Sequence, residues 1–170
     1  GGGQSGRAVS GPAQSQGLVD CYARPVVWRG SERMAVAAHN SKIHVAVAVW
    51  HCPSYFDPAG NLKGIRMDIS SWKRPAPDTA PTQAKAAGLY MICTLSKHEA
   101  EAKGYADAMM FDYRGYVAEA IGANIFFVKD EKLVTPIADC FLDGITRKSV
   151  IELAKARQIP VEEKHIEAKE

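Results

Sequence analysis

Eight consecutive residues, Ile43 to Trp50, are apolar at every position except His44. The run is too short to cross a membrane as a helix, which takes about twenty residues. It suits a single strand, and apolar side chains on both of its faces predict a strand covered on both sides. Such a strand needs neighbours. Cys21–Arg29, rich in Tyr, Val and Trp, reads as one, with Pro25 tolerable on an edge. Residues 31–42 between them read as a loop. The stretch from Pro53 to Gly64 carries two prolines and two glycines and is the clearest internal boundary.

Beyond that boundary Ile65, Met67 and Ile69 alternate with Arg66, Asp68 and Ser70, the pattern of a half-buried strand. Arg74 to Pro81 contains three prolines and cannot be helix interior. Ala84, Ala87, Met91, Leu95, His98 and Ala102 then recur at three- and four-residue spacing. They predict an amphipathic helix over 84–103, closed by Gly104. Two hairpins are expected next, Ala108–Phe111 with Tyr116–Ala120 around Arg114-Gly115, and Asn124–Val128 with Leu133–Thr135 around Asp130-Glu131. Val150, Ile151, Leu153 and Ala154 mark a second helix stopped by Pro160, and Val161–Ile166 a last strand. Strands, helix, hairpins and helix in that order predict an α+β fold in place of a regular βαβ array.

Composition limits the function. Hydrophobic residues make up 46% and charged residues 24%, the ordinary globular balance. The net charge of +2 shows no basic excess, so no nucleic-acid partner is expected. No run is long enough for a membrane helix, and none is expected. The four cysteines form no C-x-x-C pair, and His98-Glu99 lacks the second histidine of a zinc-protease motif, so no metal site is expected. Reduced thiols in a cytoplasmic protein fit this usage. Residues 1–17 hold six glycines and few apolar side chains and read as a flexible linker. The expected division is 1–17 linker, 18–60 first domain and 61–170 second domain.

Four features could carry chemistry. Lys85 stands among alanines at the start of the expected helix. It is either a solvated helix lysine or one desolvated enough for a Schiff base. Glu119, between Ala118 and Ala120, is either an exposed strand residue or a carboxylate whose apolar surroundings demand a partner. Asp143-Gly144-Ile145-Thr146 opens a helix whose free N–H groups either are capped locally or hold a phosphate. Arg24 is either an edge-strand surface residue or a cation answered by an anion. Lysine, carboxylate and anion-binding helix end together suit a pyridoxal phosphate site.

The same residues carry a resemblance. Glu119-x-Ile121-x-x-Asn124-Ile125-Phe126, then Leu133-x-Thr135 and Leu142-x-Gly144-Ile145-x-Arg147 resemble the signature of the fold-type IV, or class IV, pyridoxal-phosphate aminotransferases. Ala84-Lys85-Ala86-Ala87-Gly88-Leu89-Tyr90 and Tyr22-Ala23-Arg24-Pro25 resemble the branched-chain amino acid aminotransferase branch of that family. The resemblance runs from about Val19 to the C-terminus.

What it implies is a reaction between branched-chain L-amino acids (Leu, Ile, Val) and 2-oxoglutarate, with pyridoxal 5'-phosphate bound to Lys85 and Lys85 shuttling the substrate proton. Glu119 would meet the pyridine nitrogen and Tyr90 the phenolic oxygen. Ile145 and Thr146 would meet the phosphate. Tyr22, Arg24 and Tyr55 would line the substrate side, Arg24 taking the distal carboxylate of glutamate. A homodimer or higher homo-oligomer is implied, with Met34 and Val36 on a loop reaching the partner. Residues 18–60 would be the end of the small domain and 61–170 the first part of the large one.

Three departures accompany the match. Ala35 and Ala120 stand where glycine is common, and Cys52 where an aromatic is common. A phosphate-binding arginine on the N-terminal side and a second phosphate-binding threonine on the C-terminal side have no counterpart in the 170 residues, so the chain is expected to be incomplete at both ends. The alternatives are an inactive fragment that only binds or complements a partner, and another fold IV enzyme, either a D-amino acid aminotransferase or an aminodeoxychorismate lyase.

Overall fold

The structure is a computed structural model that describes Gly11, residues 13–52 and residues 63–170. The chain falls into two compact units, Gly1–Pro58 and Ala59–Glu170.

In the first unit, strand β1 (Tyr22–Arg29) pairs antiparallel with β2 (Ile43–Trp50), in register from Tyr22 opposite Trp50 to Arg29 opposite Ile43. Cross-strand rings fix that register. Tyr22 and Trp50 lie 4.8 Å apart between centroids, and Trp28 stacks on His44 at 5.4 Å. Pro25 is harmless because each strand of a lone pair is an edge. The expected covering of Ile43–Trp50 on both faces is not observed: Ile43 is 56% and Val45 67% exposed. Among the described residues the unit supplies two strands and no layer for either face. Residues 13–15, within the segment read as a linker, are helical, with the Leu18 N–H donating to the Ala13 carbonyl at 2.9 Å.

The second unit holds two three-stranded sheets of the same design. In the first, β3 (Met67–Ile69) runs parallel to β4 (Asp107–Phe111), which pairs antiparallel with β5 (Val117–Ala120). In the second, β6 (Phe127–Lys129) pairs antiparallel with β7 (Lys132–Pro136), which runs parallel to β8 (Val161–Lys164). Parallel neighbours need a crossover. Helix α1 (Met91–Ala102) makes it between β3 and β4, and α2 (Ile145–Ala156) makes it between β7 and β8. Mixed sheets with one crossover each are the α+β arrangement that the element order predicts.

Turn chemistry sets the hairpins. Asp130 and Glu131 both take positive φ (50° and 59°), the two-residue turn whose twist matches a hairpin. Between β4 and β5, the Asp112 Oδ1 accepts from the N–H groups of Arg114, Gly115 and Tyr116 at 2.8–3.0 Å, and Gly115 takes φ 101°. Val117, Val134 and Ile166 form the core cluster between the sheets, packed by Met109, Phe111, Ile125 and Phe127. Ala118, Cys140 and Phe141 form a second cluster behind β5.

Two expected elements are corrected. Helical structure begins at Ala87 with a single 3-10 turn (Ala87–Tyr90), because Ala86 is extended (φ −92°, ψ 137°). Lys85 therefore lies on the link before the helix and not in it. The alanines imitate a helical pattern, but Gln83 anchors the segment instead, donating from Nε2 to the carbonyls of Ala138 (2.9 Å) and Phe141 (3.0 Å). In β3, Ile69 is 56% exposed and Ile65 lies outside the strand, so the expected apolar face is not the buried one. The parallel register aligns Asp68 with Ala108, and the Lys103 Nζ reaches the Asp68 Oδ2 at 2.7 Å.

Candidate active site

Strand β5 is buried at all four of its positions, so Glu119 has no solvent face to occupy. Its side chain keeps 11% of its exposure, and the Arg74 Nε lies 3.2 Å from its Oε1. Burial pushes the carboxyl up to about 7, and the nearby Arg74 charge works in the opposite direction. Of the two environments open to Glu119, the structure gives the paired, buried one.

Arg74 is the residue that sequence reasoning missed. It is 4% exposed, and its backbone N–H donates to the Phe111 carbonyl at 2.8 Å, extending the sheet beyond β4. Its guanidinium also reaches, at 3.5 Å each, the Leu89 carbonyl and the Cys93 Sγ. Burial raises the pKa of that thiol, while Arg74 partly opposes the rise. One signal was available. An arginine directly before a proline is restricted to extended backbone, and Arg74-Pro75 sits just past a strand.

Tyr90 ends the 3-10 turn, 43% exposed, and lines a cavity of about 230 Å³ with Cys93, Thr94, Lys97, His98, Ile121 and Gly122. Arg74 thus joins the carboxylate on β5 to the turn that carries Tyr90. Lys85 is exposed, so the structure gives it the solvated environment of the two the sequence allows. Gln83, two residues earlier, ties its segment to the loop that leads into α2.

Helix α2 begins at Gly144, which is extended (φ −64°, ψ 148°) and provides no side-chain cap. A Cβ at Gly144 would lie 2.4 Å from the Asn124 Oδ1, so the Asn124 amide would have to turn aside for any larger residue. Asp143 turns to Arg147 (3.0 Å) and Lys148 (3.2 Å) and leaves the first-turn N–H groups uncapped by its carboxylate. Ile145 is 85% exposed, and Thr146 is exposed as well. An open helix start of this kind can accept an anion. Arg147 is buried and binds the Pro136 carbonyl (2.9 Å) and Glu163, fastening α2 to β7 and β8.

In the first unit, Arg24 is exposed on the hairpin, its guanidinium 5.2 Å from the Tyr22 ring centroid and 5.5 Å from that of Trp50. Tyr55 lies outside the described residues. Ala35 is exposed, and Ala120 is buried in β5.

Asp112, Asp139 and Cys140 bring ligand atoms within 4.8 Å of one another. The Asp112 oxygens are already engaged by three backbone N–H groups and by Arg114 Nε, at 2.8 Å. Burial first, then Asp112 and Asp139, push the Cys140 thiol up to about 12. The cluster is a lock on the β4–β5 turn. Among the described residues no helix is long and apolar enough to cross a membrane.

The donor set fits pyridoxal phosphate by its chemistry: a buried carboxylate for a ring nitrogen, a phenol on a cavity, an exposed primary amine, and a helix start with no side-chain cap.

Comparison with known proteins gives the same direction. The sequence pattern of the family described as amino-transferase class IV matches residues 8–170. A probable branched-chain-amino-acid aminotransferase of Rickettsia conorii is 42% identical over 149 residues, 88% of this chain and 50% of that protein. The branched-chain amino acid aminotransferase of Escherichia coli superposes with a TM-score of 0.93 at 34% identity, over 98% of this chain and 55% of that one. A T.th. branched-chain amino acid aminotransferase complexed with N-(5'-phosphopyridoxyl)-L-glutamate superposes with a TM-score of 0.86 at 33% identity, over 96% and 52%. The chain spans about half the length of the curated relatives it matches. The fold is that of the fold-type IV aminotransferases, and the chain belongs to the class IV aminotransferase family.

Proposed function

We propose that the chain carries the cofactor-binding residues of a pyridoxal-phosphate-dependent aminotransferase that moves the amino group between branched-chain L-amino acids and 2-oxoglutarate. The observation that carries this reading is Glu119, a carboxylate buried in an otherwise apolar strand and held beside Arg74. A buried carboxylate is costly unless something cationic or N–H-bearing uses it. The reading draws its substrate class from the names of the relatives, and its cofactor from the phosphopyridoxyl complex of the T.th. enzyme.

Pyridoxal phosphate, when bound, supplies an electron sink for the substrate's Cα carbanion. The Lys85 amine would bond the cofactor's carbonyl carbon and, once displaced by the substrate amine, move the proton at Cα. Glu119 would hold a proton on the ring nitrogen. The Tyr90 hydroxyl would hydrogen-bond the phenolic oxygen. The N–H groups of Ile145 and Thr146, with the Thr146 hydroxyl, would take the phosphate. Tyr22, Arg24 and Tyr55 would meet the substrate, Arg24 the distal carboxylate of glutamate. In this reading residues 18–60 end the small domain, residues 61–170 begin the large one, and the enzyme works as a cytoplasmic homodimer.

The test is borohydride reduction of the full-length protein after incubation with pyridoxal phosphate, followed by peptide mass mapping. A phosphopyridoxyl adduct confined to Lys85, with turnover of L-leucine, is the expected result. Turnover of D-alanine in its place would overturn the branched-chain assignment. The exposed apolar faces of the β1–β2 hairpin favour a second reading, a chain that only binds a partner, and that reading predicts no adduct.

A further inference from the structure

Resting on that reading, we infer that Arg74 is a positioning residue whose guanidinium, at ion-pair distance from the Glu119 Oε1, steers the carboxylate and preserves its negative charge for the cofactor's ring nitrogen. The geometry has three parts. The Arg74 Nε stands 3.2 Å from Oε1, with both side chains nearly closed to solvent (5% and 11% exposed). The Arg74 backbone is pinned to Phe111, next to Met110, which is the register partner of Glu119 on β4. The far end of the guanidinium reaches the Leu89 carbonyl, one residue before Tyr90. One side chain therefore sets the carboxylate relative to both its own sheet and the turn bearing the second cofactor contact.

The charge matters as much as the position. A carboxylate in a strand buried at all four positions would take up a proton to escape desolvation, and a protonated carboxyl cannot keep a pyridine nitrogen protonated. Beside the pair stands Cys93 from α1, on which Arg74, Glu119 and, from β4, Asp107 all act. Burial holds the Cys93 thiol in its neutral form. Arg74 is thus the cation that opposes neutralisation of Glu119, whose carboxyl burial has already moved to about 7.

The test uses the full-length protein with Arg74→Gln, Arg74→Lys, Glu119→Gln and the double variant Arg74→Gln/Glu119→Gln. Difference infrared spectra of the apoprotein, with Glu119→Gln as the blank, give the pH midpoint of the Glu119 carboxyl stretch. Arg74→Gln is expected to raise that midpoint by roughly one to three pH units, the usual effect of losing a contacting cation. Arg74→Lys is expected to restore part of it. An unmoved midpoint would overturn the inference.

The second readout is pyridoxal phosphate affinity against pH. Arg74→Gln is expected to weaken binding at neutral pH and to recover as pH rises through the new midpoint. A loss equal at every pH would mark a merely structural role and overturn the inference. Should Arg74→Gln fail to fold, the neutral pair removes both charges together and keeps the question open to measurement. It is expected to bind the cofactor as Glu119→Gln does, and a further large loss would show Arg74 acting apart from Glu119. Wild-type protein that binds no pyridoxal phosphate would overturn the functional reading, and the infrared midpoint then decides the Arg74–Glu119 pair by itself.

Discussion

The side chain of Asn124 occupies the space that a Cβ on Gly144 would need, its Oδ1 only 2.4 Å from that position. The loop after β5 is thereby seated against the start of α2. Gly144→Ala turns the end of the Asn124 side chain aside and strains its 3.5 Å contact with the Leu142 carbonyl, a loss of about 1 kcal/mol. The backbone at Gly144 is ordinary for alanine, so the loss comes from the contact alone. Chemical denaturation of Gly144→Ala, with and without Asn124→Ala, checks this. In the Asn124→Ala background Gly144→Ala is expected to cost less.

Glu119 makes stability depend on pH in a definite direction. Its folded-state pKa, about 7, lies above the ordinary 4.5, so the folded protein binds the proton more tightly than the unfolded chain. The contribution is full below pH 4.5 and is lost as pH rises to about 7. Its size is of the order of 3 kcal/mol. Urea midpoints of the apoprotein across that window are expected to fall with rising pH, and Glu119→Gln is expected to flatten the fall.

Lys85 separates folding from chemistry. It is exposed, and surface substitutions of this kind usually change stability by no more than about 0.5 kcal/mol. Lys85→Ala is expected to melt like the wild type while losing the borohydride-fixed adduct. Thermal melts alongside peptide mapping test both halves at once.

Arg147 is the opposite case. It is 4% exposed and holds Asp143, the Pro136 carbonyl and Glu163 together. Arg147→Met takes the cation from the partly exposed Asp143 and Glu163 and the donor from the Pro136 carbonyl, and losing such charge-assisted hydrogen bonds costs roughly 1.5–3 kcal/mol. Denaturant titration is expected to show that loss, with α2 exchanging its amide hydrogens faster.

Much of the second unit was legible. Arg114-Gly115 and Asp130-Glu131 mark their hairpins because positive φ restricts which residues can turn there, and Gly144 and Pro160 bracket α2 for similar local reasons. The start of α1 was not legible, since Ala84 and Ala87 satisfy a helical pattern that long-range bonds from Gln83 override. Spacing alone could not separate a buried Glu119 from an exposed one, because the deciding partner, Arg74, lies 45 residues away in a proline-rich link without periodicity. The apolar run Ile43–Trp50 announced a strand correctly, but hydrophobicity says nothing about where a covering layer comes from.

Gln83, Arg74 and Asn124 have a further consequence. Each is a side chain that reaches across a loop to another segment, and together they tie down the link bearing Lys85, the turn bearing Tyr90, the strand bearing Glu119 and the loop beside the start of α2. On the proposed function, segments fastened in this way would have less conformational freedom left to lose when the cofactor associates, and the ordering cost of binding would be smaller by that amount.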